Sequence, residues 1–96
     1  MNTVRISGYL VTPVEVRTLK TGLTAATASL QFSRACGPVI LFAIDARKRQ
    51  LTQFQQGDWL KVDGSLAMHP VSREFAVLID VCHRWRAPAS TEEDRK

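Results

Sequence analysis

The residues best suited to chemistry are a tryptophan and a lysine two positions apart, Trp59 and Lys61, in the segment Asp58–Met68. Apolar residues alternate with others along this segment, which is typical of a strand that buries one face in a core. Trp59 and Lys61 share the other face, and this pair suits a stacked base and its phosphate. The pair predicts a nucleic-acid contact, and Gly64 on the apolar face predicts the bend of a closing barrel.

Length and charge limit the classes of protein that the chain can represent. It has 96 residues, enough for one domain with a modest core, and its 45% hydrophobic content indicates a folded chain. The net charge of +4 favours a polyanion such as nucleic acid, although an ordinary soluble surface has the same balance. No nucleophile–base pair, paired catalytic carboxylates or phosphate loop is visible in the sequence. We therefore expect a protein that is not an enzyme and uses no cofactor.

The cysteines and histidines indicate no metal site. Cys36 and Cys82 lie far apart without histidines at ligand spacing, so we interpret them as free thiols in a reducing cytoplasm. His69 and His83 lack carboxylate or thiol partners in a ligand pattern. No signal-peptide pattern is present, and no apolar run approaches the ~20 residues that a membrane span needs. We expect a cytoplasmic protein that does not bind membranes.

The alternation of apolar and polar residues predicts five strands and one helix. The strands are Thr3–Val11 (with an extended continuation over Val14–Leu19), Thr24–Ser33, Val39–Ile44, Asp58–Met68 and Glu74–Trp85. Asp45 is expected to cap a helix over Ala46–Gln55 that buries Leu51 and Phe54. The side chains expected to face inward on the second, fourth and fifth strands are Ala26, Ala28, Leu30, Phe32, Leu60, Val62, Leu66, Met68, Phe75, Val77, Ile79 and Val81.

This order of elements predicts an all-β fold, a five-stranded OB-fold barrel with one short helix between strands 3 and 4. A generic small β-barrel or a fragment of a β-sandwich is the alternative. We expect residues 1–85 to form the domain and residues 86–96 to form a flexible tail. Val39–Ile44 is apolar on both faces, so a partner subunit, a helix or a ligand must cover its outer side.

Three motifs resemble the bacterial single-stranded-DNA-binding protein family. Asn2–Leu10 reads N-x-V-x-x-x-G-x-L, Val39–Phe42 reads V-I-L-F, and Gly57–Leu66 reads G-x-x-L-x-V-x-G-x-L. In this order they are similar to the first, third and fourth strands of that family, most closely its small primosomal branch. The resemblance covers roughly residues 2–85. It does not extend to the tryptophans or the acidic tail of the larger members.

The resemblance implies an OB-fold homodimer, paired largely through strand 1, that binds single-stranded DNA without strong sequence preference. It implies a role in DNA replication or replication restart. Protein partners would come from the replication-restart helicase and other primosome proteins. A protein-interaction OB module that uses the outer face of Val39–Ile44 is the alternative, and RNA binding is a third reading.

Eight residues are candidate nucleic-acid contacts. The aromatic candidates for stacking are Phe42, which the resemblance matches to a stacking position, Trp59 and Trp85. The basic candidates for phosphate contacts are Arg17, Lys20, Arg34, Lys61 and Arg73. Phe42 is expected on the outer side of its strand. The alternatives are a dimer or helix contact for Phe42, helix or partner packing for Trp59, a barrel cap for Trp85, and plain solvation for the bases.

Overall fold

A sheet that closes on itself dominates the computed structural model, which describes residues 2–33 and 35–85. Its strands are β1 (Val4–Leu10), β2 (Glu15–Thr18), β3 (Thr24–Gln31), β4 (Val39–Ile44), β5 (Trp59–Met68) and β6 (Phe75–Arg84). Between β4 and β5 lie a 3-10 helix (Asp45–Lys48) and one turn of α-helix, α1 (Arg49–Thr52). Residues 86–96, where the sequence predicts a tail, lie outside the described residues.

The strands follow the order β1–β5–β6–β4–β3–β2, and β1 also pairs with β3. Five strands therefore form a ring, while β2 extends the sheet beyond β3. The pairing of β4 with β6 is parallel, and the other pairings are antiparallel. The predicted five-stranded OB barrel with a short helix after strand 3 is confirmed. The first predicted strand is, however, two strands, which separate around Pro13 because proline has no N–H for the ladder.

The barrel interior holds the apolar side chains that alternate along the strands. Its core cluster is Leu10, Ala26, Ala28, Leu30, Leu41, Ala43, Leu51, Phe54, Leu60, Val62, Val77, Ile79 and Cys82. Two glycines let backbones approach closely where strands cross. A Cβ on Gly8 would lie closer than 3.0 Å to the carbonyl oxygen of Gln31, and one on Gly64 would clash in the same way with that of Leu78. The prediction that Gly64 serves barrel closure agrees with this close approach.

The helical segment is shorter than predicted. Leu51 and Phe54 are buried as expected, because α1 and the turn after it pack into the core. Asp45 does not cap a helix through its side chain; its φ of 56° places it in the left-handed region. The N-cap position is Ile44, in an extended conformation. The expected helix Ala46–Gln55 is therefore replaced by a 3-10 helix and a single α-turn.

A β-bulge changes which side chains of β6 face the core. Asp63 pairs with Val81 and Gly64 pairs with Ile79, so Asp80 is an extra residue that shifts the alternation. Val81 is consequently exposed, and Cys82 is buried in its place. The prediction that Val81 faces inward is wrong for this reason.

Four other residues expected to face inward are also exposed, namely Phe32, Leu66, Met68 and Phe75. Phe32 follows the end of β3. The pairing of β5 with β1 ends at Gly64, so the rest of the β5–β6 hairpin has no strand beside it on that side. Phe75 lies opposite Met68 in this hairpin and is 68% exposed.

Candidate nucleic-acid interface

Three aromatic side chains form a row across β1, β5 and the residue that follows β6. Tyr9 lies opposite Trp59 in the β1–β5 ladder, and their ring centroids are 5.1 Å apart at an interplanar angle of 47°. The rings of Trp59 and Trp85 are 5.5 Å apart in an edge-to-face arrangement. Tyr9 is 37% exposed and both tryptophans are partly exposed. We call these three residues the aromatic row; its rings offer surface on which bases can stack.

The start of β5 is held in place by backbone hydrogen bonds. Gly57 donates to the carbonyl of Leu10 at 2.8 Å, and Leu10 donates to the carbonyl of Asp58 at 3.0 Å. A carboxylate oxygen of Asp58 accepts the backbone N–H of Gln55 at 2.9 Å. The φ of Gly57, 97°, is readily accessible only to glycine. These contacts bring Trp59 beside the end of β1 and thereby fix the aromatic row.

Basic and polar side chains continue the same outward face beyond the aromatic row. Lys61 lies between Ser7 and His83 in the two ladders, and its Nζ is 5.9 Å from the ring centroid of Trp85. This is within the range of a cation–π interaction. Two residues further along these strands, Arg5 forms an ion pair with Asp63 at 3.4 Å. A groove of about 350 Å³, lined by residues of these strands, runs from Lys61 and His83 to Arg5 and Asp63. The face therefore combines rings with positive charge, as single-stranded nucleic acid requires.

Of the seven candidate contacts that the structure describes, it brings together three: Trp59, Lys61 and Trp85. Arg17 is exposed on β2, where it pairs with Glu15 at 3.7 Å, and Lys20 is exposed in the β2–β3 turn. Arg73 is exposed in the β5–β6 turn with a φ of 65°. Arg34 lies outside the described residues.

Sequence reasoning missed Tyr9 and His83 as members of this face. The alternation of the first strand does place Tyr9 on the outward side. Its position beside Trp59 depends, however, on the register of two strands that are distant in sequence.

Phe42 lies on the outer side of β4, as expected, but it is not accessible. The side chain is 2% exposed, and the ring of His69 packs edge-on against it at 5.0 Å between centroids. His69 begins a turn, closed by hydrogen bonds to Glu74 and Arg73, that lies over β3 and β4. The sequence predicts that a partner subunit, a helix or a ligand covers this outer face; at Phe42 the turn of the chain itself supplies the cover.

His69 holds this turn in its neutral form. Its Nδ1 accepts the backbone N–H groups of Val71 at 3.1 Å and Ser72 at 3.2 Å. The proton therefore resides on Nε2, which donates to Oγ1 of Thr27 at 3.0 Å. Burial lowers the pKa of His69; the carboxylate of Glu74 acts in the opposite direction, and Arg17 lowers the pKa further.

The lowered pKa of His69 predicts a loss of stability in mild acid. The unfolded chain takes up a proton near the ordinary value of 6.5, whereas the folded chain resists it. Stability should therefore be complete above that value and fall as the pH drops below it, until the folded form also protonates. Urea unfolding at stepwise lower pH measures this decline.

Two asparagine variants identify the source of that pH dependence. His69→Asn keeps an acceptor near the Nδ1 position but does not titrate, so its stability should decline less with falling pH. His83→Asn, on the exposed strand face, should retain the wild-type decline. An equal decline in wild type and His69→Asn would contradict the assignment.

The described residues contain no group of three or more His, Cys, Asp or Glu side chains that could hold a metal ion. None of their helices is long and apolar enough to cross a membrane. Both cysteines are free; Cys36 is exposed, and burial raises the pKa of the Cys82 thiol to about 12.

The fold is that of bacterial single-stranded-DNA-binding proteins. The wild-type protein of this name from Thermus aquaticus superimposes with a TM-score of 0.75 at 21% identity, over 93% of this chain. The chain spans only 43% of the length of that protein. The corresponding domain of a Synechococcus protein matches with the same TM-score at 16% identity, over 88% of this chain and 96% of the domain.

A PriB protein and a PriB domain of similar size share the fold over nearly the whole of the compared chains. PriB from Ralstonia solanacearum matches with a TM-score of 0.72 at 14% identity, covering 90% of this chain and 99% of that one. The N-terminal domain of PriB from Thermoanaerobacter tencongensis, described as dimeric, gives 0.71 at 18% identity, covering 90% and 98%. No family model and no curated protein matches the sequence. These likenesses establish the OB fold of the chain.

Proposed function

We propose that this protein binds single-stranded DNA without strong sequence preference, as a non-enzymatic OB-fold protein of DNA replication or replication restart. The observation that carries the proposal is the aromatic row of Tyr9, Trp59 and Trp85 with Lys61 beside it. The structural neighbours named for single-stranded DNA binding and for PriB support the same function.

The geometry of the face suits a single strand better than a duplex. Stacking requires unpaired bases, and the aromatic row presents three rings whose neighbouring centroids are 5.1 and 5.5 Å apart. Lys61 lies next to Trp85, so a phosphate beside a stacked base would meet a positive charge. Every base has a π-face, and a phosphate carries no sequence information, so neither contact selects particular bases.

Binding to oligo-dT should weaken as salt is added, because neutralised phosphates release counterions. Lys61→Ala should lower the affinity and reduce the slope of log K against log salt by about 0.7, the amount expected for one phosphate contact on a single strand. Both tryptophans of the chain lie in the aromatic row, so quenching of intrinsic tryptophan fluorescence reports this face directly.

Lys20→Ala is the matched control, because Lys20 is an exposed lysine in the β2–β3 turn, outside the aromatic row and its strands. It should leave the slope near the wild-type value. Binding that is undetectable at low salt, or indifferent to salt, would refute the proposal. Competition between oligo-dT and an RNA oligomer of the same length separates a DNA-binding from an RNA-binding role.

We also propose that the protein acts as a homodimer. The first residues of β1 pair with β5 on one side, whereas pairing with β3 begins only at Tyr9, which leaves a short open edge. The dimeric PriB neighbour supports this assembly. Sedimentation should give the mass of two chains, and the mass of one chain at all concentrations would contradict it.

The alternative of a protein-interaction module has a smaller surface than the sequence suggests. It uses the outer face of Val39–Ile44, where His69 covers Phe42 while Ile40 and Ile44 are half-buried. Primosome proteins, including the replication-restart helicase, remain proposed partners of the DNA-bound protein. Co-purification with and without oligo-dT tests them.

A further inference from the structure

Among the residues that the structure describes, the strand β2 has one edge without a partner. It lies at the end of the strand order and pairs only with β3, in the register Glu15↔Thr27 to Thr18↔Thr24. All four of its residues are exposed. An open strand edge presents backbone donors and acceptors to which another strand can pair.

The turn after β2 shows which backbone groups point to this open edge. Leu19 donates to the carbonyl of Leu23 at 2.7 Å, so these two residues form a hydrogen-bonded pair at the end of the ladder. Hydrogen-bonded and non-hydrogen-bonded pairs alternate in an antiparallel ladder. Glu15 and Arg17 therefore direct their backbone groups at β3, whereas Val16 and Thr18 direct theirs at the open edge.

The charges of β2 are complementary to those of a second β2 that runs antiparallel to it. If a second copy pairs antiparallel with Val16 opposite Val16, each Glu15 lies opposite an Arg17. Opposite charges in directly facing positions stabilise a strand pair, whereas like charges destabilise it. We propose that β2 is a self-association surface, at which two copies of this chain pair edge to edge around a two-fold axis through Val16.

The backbone pattern agrees with this register. Val16 would form a hydrogen-bonded pair with Val16 of the second copy, and Val14 would do so with Thr18, because residues of even number point outward here. The charged residues occupy the non-hydrogen-bonded positions, where side chains are closest. Pro13 has an odd number, so its missing N–H does not interrupt the new ladder.

An apolar cleft lies beside β2, so the proposed contact can bury apolar surface on that side of the strand. Val16 is 50% exposed and lines a cleft of about 290 Å³ together with Pro13, Val14 and Phe54. The remaining lining residues, Thr52, Gln55 and Gln56, are uncharged. Two Val16 side chains placed side by side would lie at the mouth of this cleft and remove apolar surface from water.

A contact of this size is weak by itself. Stable interfaces bury about 1,200–2,000 Å² in total, which four-residue strands do not reach. The contact therefore becomes populated at high protein concentration. It would also become populated on a nucleic-acid strand, if the proposed function holds, since neighbouring copies there share a high effective concentration.

Charge reversal tests the pairing without nucleic acid. Glu15→Arg places two arginines opposite each other at both ends of the contact, and Arg17→Glu does the same with carboxylates. Sedimentation at low salt measures the association constant for pairing of two copies of the smallest species. Each single variant should lower this constant by about tenfold. The double variant Glu15→Arg/Arg17→Glu restores opposite charges and should restore association.

Failure of the double variant to recover the association lost in the single variants would overturn the proposal, as would an absence of doubling in the wild type. The assay contains no DNA, so these outcomes leave the proposed function standing. Likewise, a failure of DNA binding would leave this result unaffected. The three variants do not alter β1. If two chains pair through β1, that dimer would persist in all three variants and would be the smallest species observed.

Cysteine cross-linking gives a second, geometric test. Paired residues of this kind have Cα atoms about 5.5 Å apart, within disulfide range. In a Cys36→Ser background, Val16→Cys should form a dimer disulfide on mild oxidation. Thr18→Cys, equally exposed on β2, should not, because its two copies lie four positions apart. Equal cross-linking of the two variants would contradict the register.

Discussion

Replacing both tryptophans, Trp59→Ala with Trp85→Ala, should weaken oligo-dT binding by about 100-fold or more. Each base stacked on an aromatic ring contributes about 1–3 kcal/mol, and the double variant removes two of the three rings of the aromatic row. The two rings touch, so the single variants should not add up to the double variant. Fluorescence anisotropy of a labelled oligonucleotide measures the loss without using the protein's own tryptophans.

Phe75→Ala is the control for this experiment. Phe75 is the most exposed large apolar side chain of the described chain, at 68%, and it lies on the β5–β6 hairpin, away from the aromatic row. Its removal should leave oligo-dT affinity within about twofold of wild type. Wild-type affinity in the double tryptophan variant, with its fold intact by circular dichroism, would show that DNA binds elsewhere.

Gly8→Ala should destabilise the fold by about 3 kcal/mol or more, at the upper end of the cost of overpacking. The added Cβ would lie closer than 3.0 Å to the carbonyl oxygen of Gln31, 2.9 Å from its carbonyl carbon and 3.0 Å from the Cα of Phe32. These are backbone atoms, which cannot turn away as a flexible side chain can. The free energy of unfolding should fall accordingly, and the melting temperature should drop by more than about 10 °C.

Gly37→Ala separates this close approach from the general cost of removing a glycine. A Cβ on Gly37 would meet nothing within 4 Å. Its substitution should change stability by less than about 1 kcal/mol, because only chain entropy and local preference change. Similar melting temperatures for Gly8→Ala and Gly37→Ala would contradict this prediction. They would mean that β1 and β3 can move apart to admit the Cβ without a loss in the free energy of unfolding.

The sequence predicted the barrel because its strands alternate and its glycines fall where strands cross. Gly64 illustrates this, since a strand residue without a side chain indicates a bend or a close approach. The bulge at Asp80 could not be predicted, because it adds one residue to one strand and leaves no local signal. Its effect reached Val81 and Cys82, whose burial is the reverse of the expected alternation.

The candidate site was predictable only in part. Trp59 and Lys61 share a face through local alternation, which the sequence shows directly. Tyr9 and Trp85 join them through strand pairing between residues far apart in the chain, which no local pattern specifies. The burial of Phe42 has no local signal for a related reason, because the covering residue, His69, belongs to a turn beyond β5.

The closure of the ring between β1 and β3 has a consequence for motion. These strands are in register only at Tyr9↔Gln31 and Leu10↔Leu30, whereas β5 and β6 pair along almost their whole length. Local opening takes place where few hydrogen bonds must break, so we expect the amide hydrogens at this seam to exchange with solvent before those of the β5–β6 pairing. Tyr9, at one end of the aromatic row, belongs to this seam, so local opening of the seam would disturb that end of the row.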